Sequence, residues 1–208
     1  MTNSQLPQIY VISPPEIDVN NFVLLIEKIM YKTQISCIRL GLSSILKEEL
    51  VKTISKIREF LIPFDIPIII ENHYKLVREL ELNGVHLTDG SNSVKHARKH
   101  LGSDHIIGAY CGSSRHNALI AAEAGANYIS MGPLVKNKHG NERITPIETF
   151  KWWSKFIEIP IVAEGNLNQN VIGKLLSVTD FVAIGSEIWG SKNFDSTLEE
   201  LISPLKLG

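Results

Sequence analysis

Apolar positions along this chain follow two rhythms that alternate from one end to the other. Short runs rich in Ile and Val give way to longer segments in which apolar residues recur at helical spacing. The first short run is Ile9 to Ile12, ending at Ser13-Pro14-Pro15, and Val19 to Tyr31 is the helical segment behind it. Ile35 to Leu40 and Ile45 to Leu61 repeat the unit, with Ile45, Leu46, Leu50, Ile54, Ile57 and Leu61 marking one helical face and Pro63 closing it. Pro67 to Ile70 is apolar without interruption, the pattern of a strand covered on both faces. Glu71-Asn72 then leads to a helix predicted over Tyr74 to Leu82.

The later units keep the same order. Val85 to Leu87 precedes a helix through Leu101 that Ser91 or Asn92 can cap, and His105 to Ala109 precedes an Ala-rich helix begun by Ser113 or Ser114 and ended at Gly125. Asn127 to Met131 is followed, after a long polar loop, by a helix over Ile147 to Phe156. The last two strands lie in Ile159 to Leu167 and Thr179 to Ile188, and Phe194 to Leu205 finishes as a helix. Three strand starts (NGVHL, GANYISMG and TDFVAIGS) share one form, a small or polar turn before an apolar run. Strands and helices alternating eightfold predict a parallel (β/α)8 TIM barrel, with residues 1–208 as one domain. A doubly wound open sheet is the alternative, because periodicity does not establish closure.

Composition narrows the partners. The chain has 208 residues, 44% of them hydrophobic, which suits one sizeable core. A net charge of -1 gives it no general attraction to nucleic acid or an anionic membrane, so a small-molecule partner is expected. The N-terminus lacks a basic region followed by an apolar stretch, and no run approaches the roughly 20 apolar residues of a membrane span, so the expected compartment is the cytoplasm. Cys37 and Cys111 fall at strand ends and read as small buried hydrophobes rather than as a disulfide. Trp152, Trp153 and Trp189 suit either the core or a homo-oligomer contact.

In such a barrel, chemistry gathers at the C-terminal ends of the strands. Gly165-Asn166 and Gly185-Ser186 follow the seventh and eighth strands, where two turns can cradle a phosphate with their first amides. Gly165 permits close approach, Asn166 can cap the helix, and Gly185-Ser186 adds amides and a hydroxyl, although tight turns alone also favour these residues. Arg39 is a lone cation on an apolar strand, suited to a phosphate, a carboxylate or a flat ring; equally it could plug the barrel by pairing with Glu71 or Glu164. Glu71 and Asp89 leave adjacent strands and together could hold magnesium, while either could simply cap a helix or meet a basic side chain. His86 reads as a general base or as a hydrogen-bonded core histidine. The loop from Gly132 to Pro146 carries Lys136, Lys138, His139 and Arg143 as candidate cations. No spacing suggests a zinc site, and no serine has an evident His-acid pair.

GVHL at Gly84 to Leu87, IIG at Ile106 to Gly108, AEAGANYISMGP at Ala122 to Pro133, IPIVAEGN at Ile159 to Asn166 and VAIGSEI at Val182 to Ile188 occur in this order. As a set they resemble the thiamine phosphate synthase family, which includes the related thiazole tautomerase, over nearly the whole chain. The resemblance implies a (β/α)8 barrel that joins hydroxymethylpyrimidine diphosphate to thiazole phosphate and releases diphosphate with the help of magnesium. Arg39 matches the arginine of the family's Gln-x-Arg-x-Lys strand, but Cys37 and Gly41 stand at the glutamine and lysine. Glu71-Asn72 replaces an Asn-Asp pair whose aspartate holds the metal, and Ser91 falls at the second metal aspartate, with Asp89 nearby. Asn137-Lys138-His139-Gly140 replaces Thr-x-Thr-Lys, and Gly112 stands at the tautomerase histidine. The resemblance therefore assigns Arg39, Glu71 and Asn72 to catalysis and Gly165, Asn166, Gly185 and Ser186 to the phosphate. The diphosphate and metal side is depleted. A transferase of thiamine synthesis is the first expectation, with thiazole phosphate or thiamine phosphate as ligand. A non-catalytic sensor or carrier of such a phosphometabolite is the second, and an isomerase of a small sugar phosphate rests on fold analogy alone.

Overall fold

The computed structural model describes residues 6–43, 46–136 and 143–206. Its strands are β1 (Gln8–Ile12), β2 (Ile35–Leu40), β3 (Ile68–Glu71), β4 (Gly84–Leu87), β5 (Ile106–Tyr110), β6 (Tyr128–Met131), β7 (Ile161–Ala163) and β8 (Phe181–Ile184). The helices between them are α1 (Val19–Lys32), α2 (Lys47–Leu61), α3 (Leu76–Glu79), α4 (Val94–Leu101), α5 (Arg115–Glu123), α6 (Ile147–Phe156) and α7 (Gln169–Leu175). After β8 come α8 (Ser186–Trp189) and α9 (Phe194–Ile202). Each strand pairs in parallel with the next, and β8 pairs with β1 through Phe181 beside Gln8 and Ile184 beside Val11. That last pairing closes the barrel and excludes the open sheet.

Helix starts follow capping chemistry. The Asp18 carboxylate accepts the Asn20 and Asn21 amides at 3.0 and 3.2 Å, and the Ser114 hydroxyl accepts the Asn117 amide at 3.2 Å. Ends differ from the sequence expectation where backbone geometry intervenes. The third helix shrinks to Leu76–Glu79 because left-handed Asn72 and Glu81, at φ 58° and 50°, bracket it with tight turns. Ser93, not Ser91 or Asn92, stands at the start of α4 and donates to Asp89. The helix expected over Phe194 to Leu205 starts at Phe194, where Asn193 accepts the Ser196 amide at 3.2 Å, but ends at Ile202, and the short α8 precedes it. Helix α2 begins at Lys47; Ser44 and Ile45 lie outside the described residues.

Alternation along each strand sorts the side chains into two cores. Outward positions such as Val11, Ile38, Ile70, Val85, Ile107 and Ile129 pack beneath the helices, with Phe150 and Trp153 fully buried among them. Inward positions Tyr10, Cys37, Ile69, Tyr128, Val162 and Ala183 fill the barrel. A polar thread runs through this inner core: the Tyr10 and Tyr128 hydroxyls are 2.8 Å apart, and the Tyr128 hydroxyl is 2.8 Å from His86 Nδ1. Burial, reinforced by the charge of Arg39, holds His86 well below its ordinary pKa and hence neutral. His86 is thus a bonded core histidine. Tyr128→Phe should cost about 1–3 kcal/mol in urea unfolding, because it strips partners from two buried polar groups at once.

Candidate active site

Strand register brings the sequence candidates to one end of the barrel. Arg39 on β2 pairs in register with Ile12 and Ile69, so its side chain points inward at the C-terminal rim. There it meets two carboxylates. Arg39 Nη1 donates to Glu164 Oε2 at 2.8 Å and Nη2 to Glu164 Oε1 at 3.4 Å, while Nε lies 2.9 Å from Glu71 Oε1. The Glu164 contact is a fork onto a carboxylate; the Glu71 contact holds by charge, without the alignment of a hydrogen bond. The Arg39 side chain is only 6% exposed, against 12% for Glu164 and 24% for Glu71, so the guanidinium is the buried centre and Glu71 the rim.

Charge explains the titration. Burial works against the charged guanidinium, but Glu164, Tyr10 and Glu71 outweigh it and hold Arg39 above its ordinary value. Burial lifts the Glu71 carboxyl above its ordinary range, Arg39 opposes the shift, and Glu164 adds to it. One guanidinium between two carboxylates leaves the cluster one negative charge in excess when both are ionised. The structure therefore realises the ion-pair role for Arg39, with both expected partners at once. Asn72 stands apart from this cluster, with its amide group bonded to Thr88.

The magnesium pair is not assembled. Glu71 faces Arg39, Asp89 accepts from Ser93 at 2.6 Å, and among the described residues no three His, Cys, Asp or Glu side chains group closely enough to hold a metal ion. Gly41, at the family's lysine position, is packed against Glu71: a Cβ there would lie 3.1 Å from its carboxylate. Among the described residues, no donor set that fits magnesium is assembled.

The turns after β7 and β8 do converge. A cavity of about 440 Å³ lies between Ile12, Ser13, Glu164, Gly165, Gly185 and Glu187. Gly165 has φ 91° and its backbone lies against Pro133, where a Cβ would come within 3.0 Å. Asn166 is not a helix cap. It is left-handed, at φ 56°, and its side-chain amide donates to the Val135 carbonyl at 3.2 Å; Asn168 caps α7 by accepting the Val171 amide at 3.0 Å. Nor is the Gly185 amide bare. Glu187, unremarked in the sequence, takes the Leu167 N–H at 2.9 Å and the Gly185 N–H at 2.8 Å. Ser186 is exposed at the start of α8.

The remaining candidates sit further out. Lys136 is exposed where the described part of its loop ends, and Lys138 and His139 lie outside the described residues. Burial pushes the Cys37 and Cys111 thiols up to about 12, and both are free, consistent with packing roles. No helix among the described residues is long and apolar enough to cross a membrane.

The family model described as thiamine monophosphate synthase matches residues 9–188. The thiamine-phosphate synthase of Erythrobacter litoralis is 29% identical over 197 residues, 91% of this chain and 92% of the relative. That of Rhodospirillum centenum is 26% identical over 184 residues, 88% and 89% of the two chains. Among solved structures, a thiamine phosphate pyrophosphorylase from Pyrococcus furiosus superposes with a TM-score of 0.81 at 21% identity, covering 97% of both chains, a likeness of fold. The chain belongs to the thiamine monophosphate synthase family.

Proposed function

We propose that this protein is a thiamine phosphate synthase-type transferase, holding its ligands at the barrel mouth between Arg39 and the turns after β7 and β8. The observation that carries the proposal is the cluster of Arg39 with Glu71 and Glu164, set in the cavity end of a barrel of this family. In the reaction, the bond between the pyrimidine methylene carbon and the diphosphate oxygen breaks, and the electron pair leaves with diphosphate. The thiazole nitrogen then gives its lone pair to that carbon. The pyrimidine cation and the thiazolium product are both positive at the reacting centre, and an excess carboxylate fixed nearby stabilises such charge. Ser13 and Gly165, which line the cavity, would position the thiazole side, with its phosphate toward Gly185 and Ser186.

Because the described residues assemble no donor set for magnesium, charge on the leaving diphosphate would be met by basic side chains of the 132–146 loop, which carries Lys136 and Arg143 at the edges of its undescribed part. A discontinuous or fluorescence assay of thiamine phosphate formation from the two substrates tests the reading. Turnover is expected, and Glu164→Gln should lower kcat by about 100-fold, the scale of losing one preorganised electrostatic partner. Ligand binding with no product would instead make the protein a sensor or carrier. That second reading is favoured by one feature, the engagement of Arg39 by two carboxylates before any ligand arrives.

A further inference from the structure

The corner between the turns after β7 and β8 is closed by the chain's own carboxylate. Glu187 Oε2 accepts the Gly185 N–H at 2.8 Å, a contact across two residues that helix capping alone explains. Its other oxygen accepts the Leu167 N–H at 2.9 Å, reaching twenty residues back to the turn after β7. Capping of α8 gives no reason for that second bond. One carboxylate therefore spans both turns and consumes a donor from each.

Its surroundings sharpen the consequence. Glu187 lines the 440 Å³ cavity together with Glu164, and no lysine or arginine is among the described residues lining it. A phosphate group approaching this wall meets like charge on two sides and finds two of the amide donors already used. An uncharged hydroxyl in the same place meets no such opposition.

We infer that Glu187 is a built-in competitor for phosphate, which sets the preference of this site between the phosphorylated and unphosphorylated forms of one ligand. The inference rests on the reading of the cavity as the thiamine-ligand site. A phosphorylated ligand reaches the Leu167 and Gly185 amides only by displacing the Glu187 carboxylate, whereas the corresponding alcohol binds with those bonds intact.

Calorimetric titration of the full chain and of Glu187→Ala and Glu187→Gln, each with thiamine phosphate and with thiamine, tests this directly. Removing the carboxylate should tighten thiamine phosphate roughly tenfold or more, while thiamine changes by less than about twofold. Glu187→Gln keeps an acceptor for one amide and loses the charge, so it should move in the same direction with the fold intact. Amide hydrogen exchange supplies a second readout, with Leu167 and Gly185 slow in the wild type and fast in Glu187→Ala. If both ligands weaken together in both variants, Glu187 is a structural cap and the inference is overturned. If thiamine phosphate binds the wild type and neither variant tightens it, the inference also fails, and the thiamine reading stands. If neither compound binds any of the three proteins, the thiamine reading fails and takes this inference with it.

Discussion

Arg39→Ala is expected to lower folding stability by about 3–5 kcal/mol, because it leaves the Glu71 and Glu164 carboxylates facing each other without the guanidinium they share. Glu71→Gln should cost far less. It removes the more exposed of the two acids and leaves the forked Arg39–Glu164 pair intact. The two variants also part in their pH dependence. Burial, countered by Arg39 and aided by Glu164, raises the Glu71 pKa on folding, so its contribution to stability is present below the ordinary carboxylate value and is lost as pH climbs through the raised value. Without Arg39 the upward shift grows. The deficit of Arg39→Ala should therefore shrink as pH falls from neutral toward the ordinary carboxylate range. Urea unfolding of wild type and variant across that range measures it; a deficit that stays constant or widens on acidification would show that the pairing does not set the cost.

Gly108→Ala should be nearly as damaging, at about 3 kcal/mol, the upper end of what overpacking a core costs. Gly108 on β5 lies in register with His86 on β4 and Tyr128 on β6, and a Cβ there would stand 2.0 Å from Tyr128 Cζ and 2.3 Å from its hydroxyl oxygen. The ring cannot yield without breaking the Tyr10–Tyr128–His86 thread. Steric strain and lost hydrogen bonds therefore act together. Gly173→Ala is the natural control. It lies inside α7 with nothing within 4 Å of the added carbon, and helix propensity should make that change stabilising by up to about 1 kcal/mol. Thermal unfolding of the pair separates packing from propensity, and equal effects at both positions would contradict the packing described for the inner core.

The barrel was legible because its strands are covered on both faces and so read as apolar runs such as Ile68 to Ile70, while the helices between them read at their own period. Closure was not legible, since it depends on Gln8 finding Phe181, and no local pattern records that pairing. The site divided along the same line. Arg39 and the two glycine turns stood out by residue type, and Glu71 and Glu164 were visible as possible partners. That Arg39 takes both depends on the width of the barrel. Asn166 and Asn168 show the limit of local chemistry, because asparagine suits a helix cap and a left-handed turn alike, and the chain uses one for each. Glu187 was missed for a different reason. An acid in the first turn of a helix is the commonest of signals, and nothing near it announces that its second oxygen reaches Leu167.

The most direct measurement is a crystal structure of the protein grown with thiamine phosphate. Its density is expected in the cavity bounded by Ser13, Glu164 and Gly185, with the thiazolium ring on the side of the Arg39 cluster and Glu187 turned away from the Leu167 amide. Density for the ligand outside the barrel mouth, with the Glu187 bonds unbroken and that cavity empty, would contradict the assignment of the site.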